Sequence, residues 1–217
     1  SSDLLAKRLG CPRKAVAERL SDVPWLTECD AVSIATPPDT HHRLVIEALE
    51  LGLHVLTEKP FAMLPSQGRE MCETARRVGR TLAVMHNFQF AKSALRLMKD
   101  LEDGRLGAIT RINAVQLSNP RRRLPVWYEG LPGGLFYDES PHLLYLMRRF
   151  APGALTLRNV YAIPDPAGAR TPDLLNACYQ AGSVPVTLDM HFRAPVSEWH
   201  FCVEGEEGMG VVDVFRD

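Results

Sequence analysis

The feature that most constrains this chain is an alternation of three short apolar runs with two helical patterns, joined by short loops. The apolar runs cover residues 31–35, 54–57 and 81–85, and the helical patterns cover residues 39–51 and 66–77. A short continuous apolar run is typical of a strand buried on both faces, and apolar residues about every 3.6 positions are typical of a helix. The order strand, helix, strand, helix, strand predicts a parallel sheet with right-handed crossover connections.

Polar residues follow each strand of this predicted sheet. Thr36 follows the first strand, Glu58 and Lys59 follow the second, and His86 follows the third. Ligands of open parallel sheets bind outside the carboxyl ends of the strands. We therefore expect these residues to line a ligand site.

The character of the sequence changes after residue 86. Helices are predicted over residues 87–102 and 138–150, and a long strand over residues 106–117. Five further strand signals follow without intervening helices, over residues 155–163, 174–181, 184–193, 198–204 and 210–215. Strands in direct succession predict a mainly antiparallel sheet, so the predicted fold class is α/β first and α+β afterwards.

Composition and charge exclude several classes of protein. The 217 residues are 46% apolar, enough to bury a core, and the net charge of −1 comes from 25 basic and 26 acidic residues in mixed order. This balance argues against binding to nucleic acid or to an anionic membrane. No apolar run approaches the roughly 20 residues of a membrane span. The basic run at residues 121–123 is interpreted as a solvated loop, with contact to an anionic group as the alternative.

The five cysteines are widely separated, odd in number, and show neither zinc-ribbon nor redox-motif spacing. We predict reduced thiols, mostly buried, in a cytoplasmic protein. No metal-binding histidine motif is present, so no metal ligands are predicted.

Lys59 is a candidate catalytic residue because of its position. A lysine at the carboxyl end of a buried strand directs its ammonium toward the ligand crevice, where it can polarise a hydroxyl or carbonyl oxygen. The alternative is a surface lysine that pairs with Glu58.

Asp138 and His142 are four residues apart on a predicted helix and therefore share one of its faces. A histidine titrates near neutrality and can move a proton to or from a substrate hydroxyl, while the aspartate orients the ring. Gly133 and Gly134 just upstream allow close backbone approach to a ligand. The alternative is an aspartate that caps the helix, followed by an ordinary helical histidine.

Two further residues are candidates for a nucleotide site. His41 lies at a helix start beside a strand end. Asn87 follows the third predicted strand, where it is placed to hydrogen-bond a cofactor amide or a substrate hydroxyl; its alternative role is the N-cap of the next helix.

Two segments of the chain, taken together, resemble the Gfo/Idh/MocA family of oxidoreductases. The first runs from Asp30 through Thr36-Pro37 and His41 to Glu58-Lys59-Pro60, and the second runs from Gly133-Gly134 to Asp138 and His142. The resemblance implies that the Thr-Pro pair and the following histidine flank the nucleotide. It implies that the Glu-Lys-Pro segment, with a cis peptide bond before its proline, presents a lysine near the nicotinamide. The aspartate and histidine of the second segment then bind the substrate and handle its proton.

The resemblance thus gives two sets of site residues. The catalytic residues are Lys59, Asp138 and His142. The cofactor-binding residues are Thr36, Pro37, His41, Glu58, Lys59 and Asn87, and the cofactor is NAD or NADP.

The resemblance also implies two domains. Residues 1–86 form a partial dinucleotide-binding Rossmann domain, and residues 87–217 form an α+β domain for substrate binding and oligomerisation. In the family a strand, a G-x-G-x-x-G turn, a helix and a second strand come first, and none of these precedes Ser1. We therefore expect an incomplete Rossmann sheet, followed by an α+β domain with a mainly antiparallel open sheet that is truncated at its C-terminus. Pro141, directly before His142, departs from the family pattern and is expected to shift the helix start and the aim of the imidazole.

These implications predict an NAD(P)-dependent dehydrogenase or reductase acting on CH–OH groups. It transfers a hydride between the nicotinamide and a sugar, polyol or related compound, and residues 120–134 line the substrate pocket. Its other expected partner is a further copy of the chain, in a homo-dimer or tetramer. The competing hypothesis is a non-catalytic ligand-binding or regulatory member of the same family. A metal-dependent enzyme using His41, His86 and His142 has no support from their spacing.

Overall fold

The structure is a computed structural model that describes residues 2–12, 16–121, 126–214 and 216. The chain divides into two compact units, Ser1–Met85 and His86–Asp217. Each unit is described by itself below. The functions assigned to the two domains from the sequence stay predictions.

The first unit contains a three-stranded parallel sheet in the order β1-β2-β3. Its elements are α1 (Ser2–Leu9), β1 (Ala31–Ile34), α2 (Pro38–Glu50), β2 (His54–Thr57), α3 (Pro65–Val78) and β3 (Leu82–Val84). A proline begins both α2 and α3, where its missing N–H costs no hydrogen bond. Gly79 ends α3 in the left-handed conformation, with a φ of 66°. The predicted alternation of strands and helices is confirmed.

The core of this unit lies between the sheet and its two longer helices. Val45, Ala48 and Leu49 of α2 and Met71 of α3 are fully buried and cluster with Val55 of β2. The spacing of the three α2 residues gives that helix one apolar face. Their packing fixes α2 against the strands whose carboxyl ends carry the candidate site residues.

The second unit is built on a six-stranded sheet in the order β5-β6-β7-β4-β8-β9. Its strands are β4 (Ile109–Leu117), β5 (Leu155–Ile163), β6 (Leu174–Ala181), β7 (Val184–His191), β8 (Glu198–Gly205) and β9 (Met209–Asp213), and its helices are α4 (Lys92–Glu102) and α5 (Leu135–Phe150). Only β4 and β7 pair in parallel, and the other neighbouring strands are antiparallel. The predicted fold class, α/β followed by a mainly antiparallel α+β unit, is confirmed.

Two helices begin at residues other than those predicted. α4 begins at Lys92 and not at Asn87, because residues 87–90 form a 3-10 turn and Ala91 after it is extended, with a ψ of 143°. Asn87 is therefore not the N-cap of α4. α5 begins at Leu135, so Asp138 lies within the helix and its alternative role as the N-cap is wrong.

The predicted helix start placed Pro141 in the first turn of α5. In the structure Pro141 lies inside the helix. A proline has no N–H to donate to the carbonyl four residues earlier, so the helix lacks one interior hydrogen bond at this point. The first turn of α5 is correspondingly less tied to the rest of the helix.

The apolar side of α5 packs on one face of the six-stranded sheet. Leu143, Leu146 and Met147 are fully buried in a cluster that includes Ile112 of β4 and Phe201 of β8. This packing fixes the rotation of α5 about its axis, and with it the directions of the side chains on its other faces.

The surface of the second unit differs between the centre of the sheet and its edge. β5 lies at an edge and exposes the large apolar side chains of Leu157, Val160 and Tyr161.

The five cysteines of the chain are free and each is half-buried, so the prediction of mostly buried thiols is wrong. None of the helices in the described part of the chain has the length and apolar character needed to cross a membrane.

Candidate active site

The carboxyl ends of β1 and β2 lie at the same edge of the first sheet. Ile34, the last residue of β1, pairs in parallel register with Thr57, the last residue of β2. The turns that follow the two strands, which begin at Thr36 and Glu58, are therefore neighbours. The Lys59–Pro60 peptide bond in the second turn is cis, as the resemblance implied.

The His41 side chain links these two turns. The ring is completely buried, with its Nδ1 atom 2.9 Å from the Pro60 carbonyl oxygen and its Nε2 atom 2.9 Å from the Thr36 carbonyl oxygen. Carbonyl oxygens only accept hydrogen bonds, so a ring nitrogen that bonds either oxygen does so as the donor. Sequence reasoning placed His41 beside the nucleotide, whereas its observed contacts are with the backbone of the two turns.

Polar groups are present on the outer side of the same edge. Thr36 and Pro37 are exposed, and Glu58 and Lys59 are half-buried. The Thr36 hydroxyl shares a hydrogen bond of 2.6 Å with the Thr40 hydroxyl. The Lys59 backbone N–H donates to the Glu58 carboxylate at 3.3 Å. A hydroxyl, a carboxylate and a lysine thus occupy the place where open parallel sheets bind ligands.

In the second unit, His142 lies among aromatic side chains. Its ring stacks on Phe88 with centroids 4.3 Å apart and meets Trp199 in a T-shaped contact with centroids 5.8 Å apart. Asp138, one turn earlier on α5, is half-buried. Burial raises the pKa of the neighbouring Tyr137, so its phenol stays protonated at neutral pH. Sequence reasoning missed Phe88 and Trp199, since neither position carries a pattern that distinguishes it from an ordinary core residue.

A second aromatic contact joins α5 to the segment that precedes α4. His86 stacks on Tyr145 with ring centroids 4.2 Å apart, and the Tyr145 hydroxyl donates to the Gln89 side-chain oxygen at 2.5 Å. Asn87, between His86 and Phe88, is exposed. His86 and Phe88 thus pack against side chains of α5, while Asn87 between them is open to solvent.

A buried polar cluster underlies the helix that carries Asp138 and His142. Gln116 of β4 is fully buried, and its amide nitrogen donates to the Ser118 hydroxyl at 2.8 Å and to the Glu139 carboxylate. Glu139 is 6% exposed. A carboxylate is buried at low cost only when hydrogen bonds replace its water shell. Sequence reasoning missed Glu139, because its partner lies on a distant strand.

A cavity of about 350 Å³ lies at the start of α5 within the second unit. Its lining includes Ser118, Tyr128, Glu129, Leu135, Asp173 and Arg193. Residues of the predicted 120–134 pocket loop therefore do line a cavity, although residues 122–125 of that loop lie outside the described residues.

Asp165 is another carboxylate at this cavity. Burial by itself would raise the pKa of Asp165. Hydrogen bonds from the Ala167 and Ala169 N–H groups and the nearby charge of Arg193 outweigh that effect and hold the pKa below its ordinary value. Asp165 is therefore a carboxylate at neutral pH, suited to hold the loop around it together.

The structure gives no support to a metal site at the histidines. His41 is occupied by two backbone carbonyls. Across the residues that the structure describes, there is no group of three or more His, Cys, Asp or Glu side chains that could hold a metal ion.

Comparison with known proteins identifies the family to which these motifs point. Residues 1–86 match the Gfo/Idh/MocA oxidoreductase family, which is described by an NAD-binding Rossmann fold. The chain is 33% identical over 183 residues to the uncharacterized oxidoreductase YdgJ of Escherichia coli K12, an alignment that covers 82% of this chain and 52% of that protein. It is 38% identical over 120 residues to the D-glucoside 3-dehydrogenase of the same organism, covering 53% of this chain and 34% of that protein.

Solved structures show the same fold. The crystal structure of GenD2 from gentamicin A biosynthesis, in complex with NAD, matches with a TM-score of 0.83 at 21% identity, covering 99% of this chain and 62% of that one. At this identity the likeness concerns the fold alone. The chain spans about half the length, or less, of the two curated relatives described above.

Proposed function

The chain belongs to the Gfo/Idh/MocA family of oxidoreductases, and from this premise we propose that it transfers a hydride between a nicotinamide dinucleotide and a hydroxyl or carbonyl group of a sugar or polyol. The observation that carries the proposal is the position of Lys59, at the carboxyl end of β2 in a unit that matches an NAD-binding Rossmann fold. The likeness to a D-glucoside 3-dehydrogenase supports a carbohydrate or polyol as the substrate.

The family match describes an NAD-binding fold, and the cofactor proposed here is NAD or NADP. The residues proposed to hold it are Thr36, Pro37, His41, Glu58, Lys59 and Asn87. The exposed Thr36 hydroxyl and the half-buried Glu58 and Lys59 fit the polar surface of a dinucleotide. His41 contributes through the two turns that it links. The bound nicotinamide supplies the carbon that accepts or donates the hydride.

We assign one role to each catalytic residue. The Lys59 ammonium holds the reacting oxygen of the substrate and polarises its bond to carbon. The His142 imidazole takes the proton of that hydroxyl in oxidation and returns it in reduction. Asp138, on the same face of α5, orients the imidazole and stabilises its charged form. Phe88, stacked on His142, restricts the directions that the ring can adopt.

Turnover by the full-length protein tests these roles. A panel of sugars and polyols is incubated with NAD or NADP, and the absorbance of the reduced nicotinamide is followed. Lys59→Ala and His142→Ala should each lower kcat by about 10²–10⁴-fold, the usual contribution of a positioned acid or base. Lys99→Ala and His42→Ala are matched controls, because both residues form ion pairs at the surface. Normal turnover in both catalytic variants would end the assignment.

The competing function is ligand binding without catalysis. A non-catalytic relative would bind the dinucleotide, or a sugar alone, and show no turnover with any compound of the panel. Calorimetric titration of the full-length protein with NAD, with NADP and with each sugar separates the two functions, since binding without turnover favours the non-catalytic one.

We also propose that the protein is a cytoplasmic homo-oligomer. The exposed Leu157, Val160 and Tyr161 of β5 support self-association, because large apolar side chains exposed on an edge strand are common at protein interfaces. Sedimentation of the full-length protein measures the state, and Tyr161→Lys should shift it toward the monomer. Cell fractionation tests the location.

A further inference from the structure

The helix that carries Asp138 and His142 has no cap of its own. The residue before α5 is Gly134, which has no side chain to satisfy the first N–H groups of the helix. The Leu135 N–H donates instead to the Thr171 hydroxyl oxygen, at 2.8 Å and 36 residues along the chain. Thr171 belongs to residues 164–173, which connect β5 to β6 and are named the β5–β6 loop here.

The contact with Thr171 requires a glycine at position 134. Gly134 is buried with a φ of +58°, and a Cβ at this position would lie 2.3 Å from the Thr171 hydroxyl oxygen and 2.7 Å from the Thr171 backbone nitrogen. A Cβ at Gly133 would meet only the ring of Phe136, at 3.5 Å. Gly134 is thus the point where the β5–β6 loop packs directly on the backbone at the start of α5.

The β5–β6 loop is anchored on both sides of Thr171. The Arg170 guanidinium donates to the Gly130 carbonyl oxygen at 3.1 Å, just before the start of α5. Arg193, after β7, lies 3.3 Å from the Asp165 carboxylate and 3.7 Å from the Asp173 carboxylate. These contacts give the Thr171 hydroxyl a defined place relative to the sheet.

We propose that Thr171 is a positioning residue for the reaction proposed above, and the inference rests on that proposed function. Its hydroxyl fixes the first turn of α5, and so places Asp138, which follows Leu135 by about 4.5 Å along the helix axis and orients His142 in the proposed reaction. In this role Thr171 acts through the backbone of α5 and not on the substrate or the cofactor. Pro141 makes the external contact more important, because the first turn lacks one of the interior hydrogen bonds that would otherwise hold it.

Two substitutions in the full-length protein test the role of the hydroxyl. Thr171→Val keeps the shape of the side chain and removes the acceptor, whereas Thr171→Ser keeps the acceptor. We expect Thr171→Val to lower kcat about tenfold with little change in KM, since small misplacements of catalytic groups cost about 10²-fold or less. Thr171→Ser should retain the wild-type kcat.

Amide hydrogen exchange measured by mass spectrometry gives a readout that does not depend on activity. Thr171→Val should speed exchange in residues 135–138 and leave β4 and β7 unchanged, because only the first turn of α5 loses a partner. Thr110→Val is the matched control: the Thr110 hydroxyl also bonds the backbone, donating to the Glu204 carbonyl oxygen at 3.2 Å on an exposed part of the sheet. It should change neither kcat nor the exchange of residues 135–138.

The outcomes separate this inference from the proposed function. If His142→Ala is inactive while Thr171→Val has wild-type kcat and exchange, the positioning role is overturned and the function stands. If His142→Ala retains full turnover, the catalytic assignment is wrong, and Thr171 then has no catalytic residue to position. Amide hydrogen exchange in residues 135–138 would still show whether the Thr171 hydroxyl caps α5. Equal losses in Thr171→Ser and Thr171→Val would also overturn the role, because the serine keeps the hydroxyl.

Discussion

In each unit a side chain holds a segment with candidate catalytic residues by hydrogen bonds to its backbone. The first unit uses backbone carbonyl oxygens, and the second uses a backbone N–H group. In the first unit the His41 ring lies 2.9 Å from each of two carbonyl oxygens, those of Thr36 and Pro60. In the second unit the Thr171 hydroxyl accepts from a single N–H group, that of Leu135, at 2.8 Å. His41 is completely buried, whereas the contact of Thr171 is only partly buried.

The comparison predicts different consequences of losing each contact. The buried Pro60 carbonyl and the part-buried Thr36 carbonyl lose their partner when the ring of His41 is removed, and water replaces it poorly at the buried one. One N–H group at a partly buried helix end loses its partner when the hydroxyl of Thr171 is removed. We therefore expect His41 to affect mainly the stability of its unit and Thr171 mainly the placement of α5.

The largest expected effect is that of His41→Phe. The free energy of unfolding of the first unit should fall by about 2–4 kcal/mol, because an unpaired buried carbonyl costs about 1–3 kcal/mol and the part-buried Thr36 carbonyl adds a smaller amount. Amide hydrogen exchange in α2 and β2 of the full-length protein reports the stability of this unit alone.

The adjacent histidine provides the control. His42 lies at the surface, 2.9 Å from the Glu70 carboxylate, and such exposed pairs contribute less than about 1 kcal/mol. His42→Phe should therefore change exchange in α2 and β2 very little. Equal losses in the two variants would show that the two carbonyl contacts of His41 do not hold the turns together.

The next effect is that of Gly134→Ala. The new methyl group would meet Thr171 at a backbone position with a φ of +58°, so both the contact and the conformation are unfavourable. We expect a loss of about 3 kcal/mol in the stability of the second unit, measured by urea denaturation. Gly133→Ala, with a φ of +76° and only an ordinary contact of 3.5 Å with the Phe136 ring, should lose about 1 kcal/mol. Similar losses at both positions would mean that the β5–β6 loop yields easily and does not fix α5.

The sequence predicts one side of this comparison well and the other poorly. In the first unit each strand, helix and turn is marked by residues that are close together along the chain, and the partners of His41 lie 5 and 19 residues away. The strand ends with Thr36, Glu58 and Lys59 could therefore be predicted. The bonding of His41 to two carbonyls could not, because sequence patterns describe side chains and not the carbonyls that they meet.

In the second unit the start of α5 depends on a residue far along the chain. Asp138 suits an N-cap by residue type, yet the helix begins at Leu135 because Thr171, 36 residues later, supplies the acceptor. The burial of Glu139 likewise depends on Gln116, 23 residues earlier. Local patterns predicted the pair Asp138 and His142, while the contacts around the start of their helix come from tertiary structure.

The smallest expected effect concerns the anchor of the β5–β6 loop. The pKa of Asp165 in the folded chain lies below its ordinary value, despite burial that would raise it, because Ala167 and Ala169 N–H groups and Arg193 favour the carboxylate. A lowered folded pKa stabilises the fold above the unfolded value of about 3.9, and the contribution is lost as the pH falls through the folded pKa. Asp165→Asn should therefore destabilise the second unit at neutral pH and make little difference in acid.

Urea denaturation of wild type and Asp165→Asn at about pH 7 and about pH 3 measures this difference. In an Arg193→Gln background the effect of Asp165→Asn at neutral pH should shrink, because the two side chains contact each other at 3.3 Å and their effects are coupled. If Asp165→Asn destabilised the second unit more in acid than at neutral pH, the Asp165 carboxylate would not stabilise the fold. The β5–β6 loop would then need another anchor to hold Thr171 against α5.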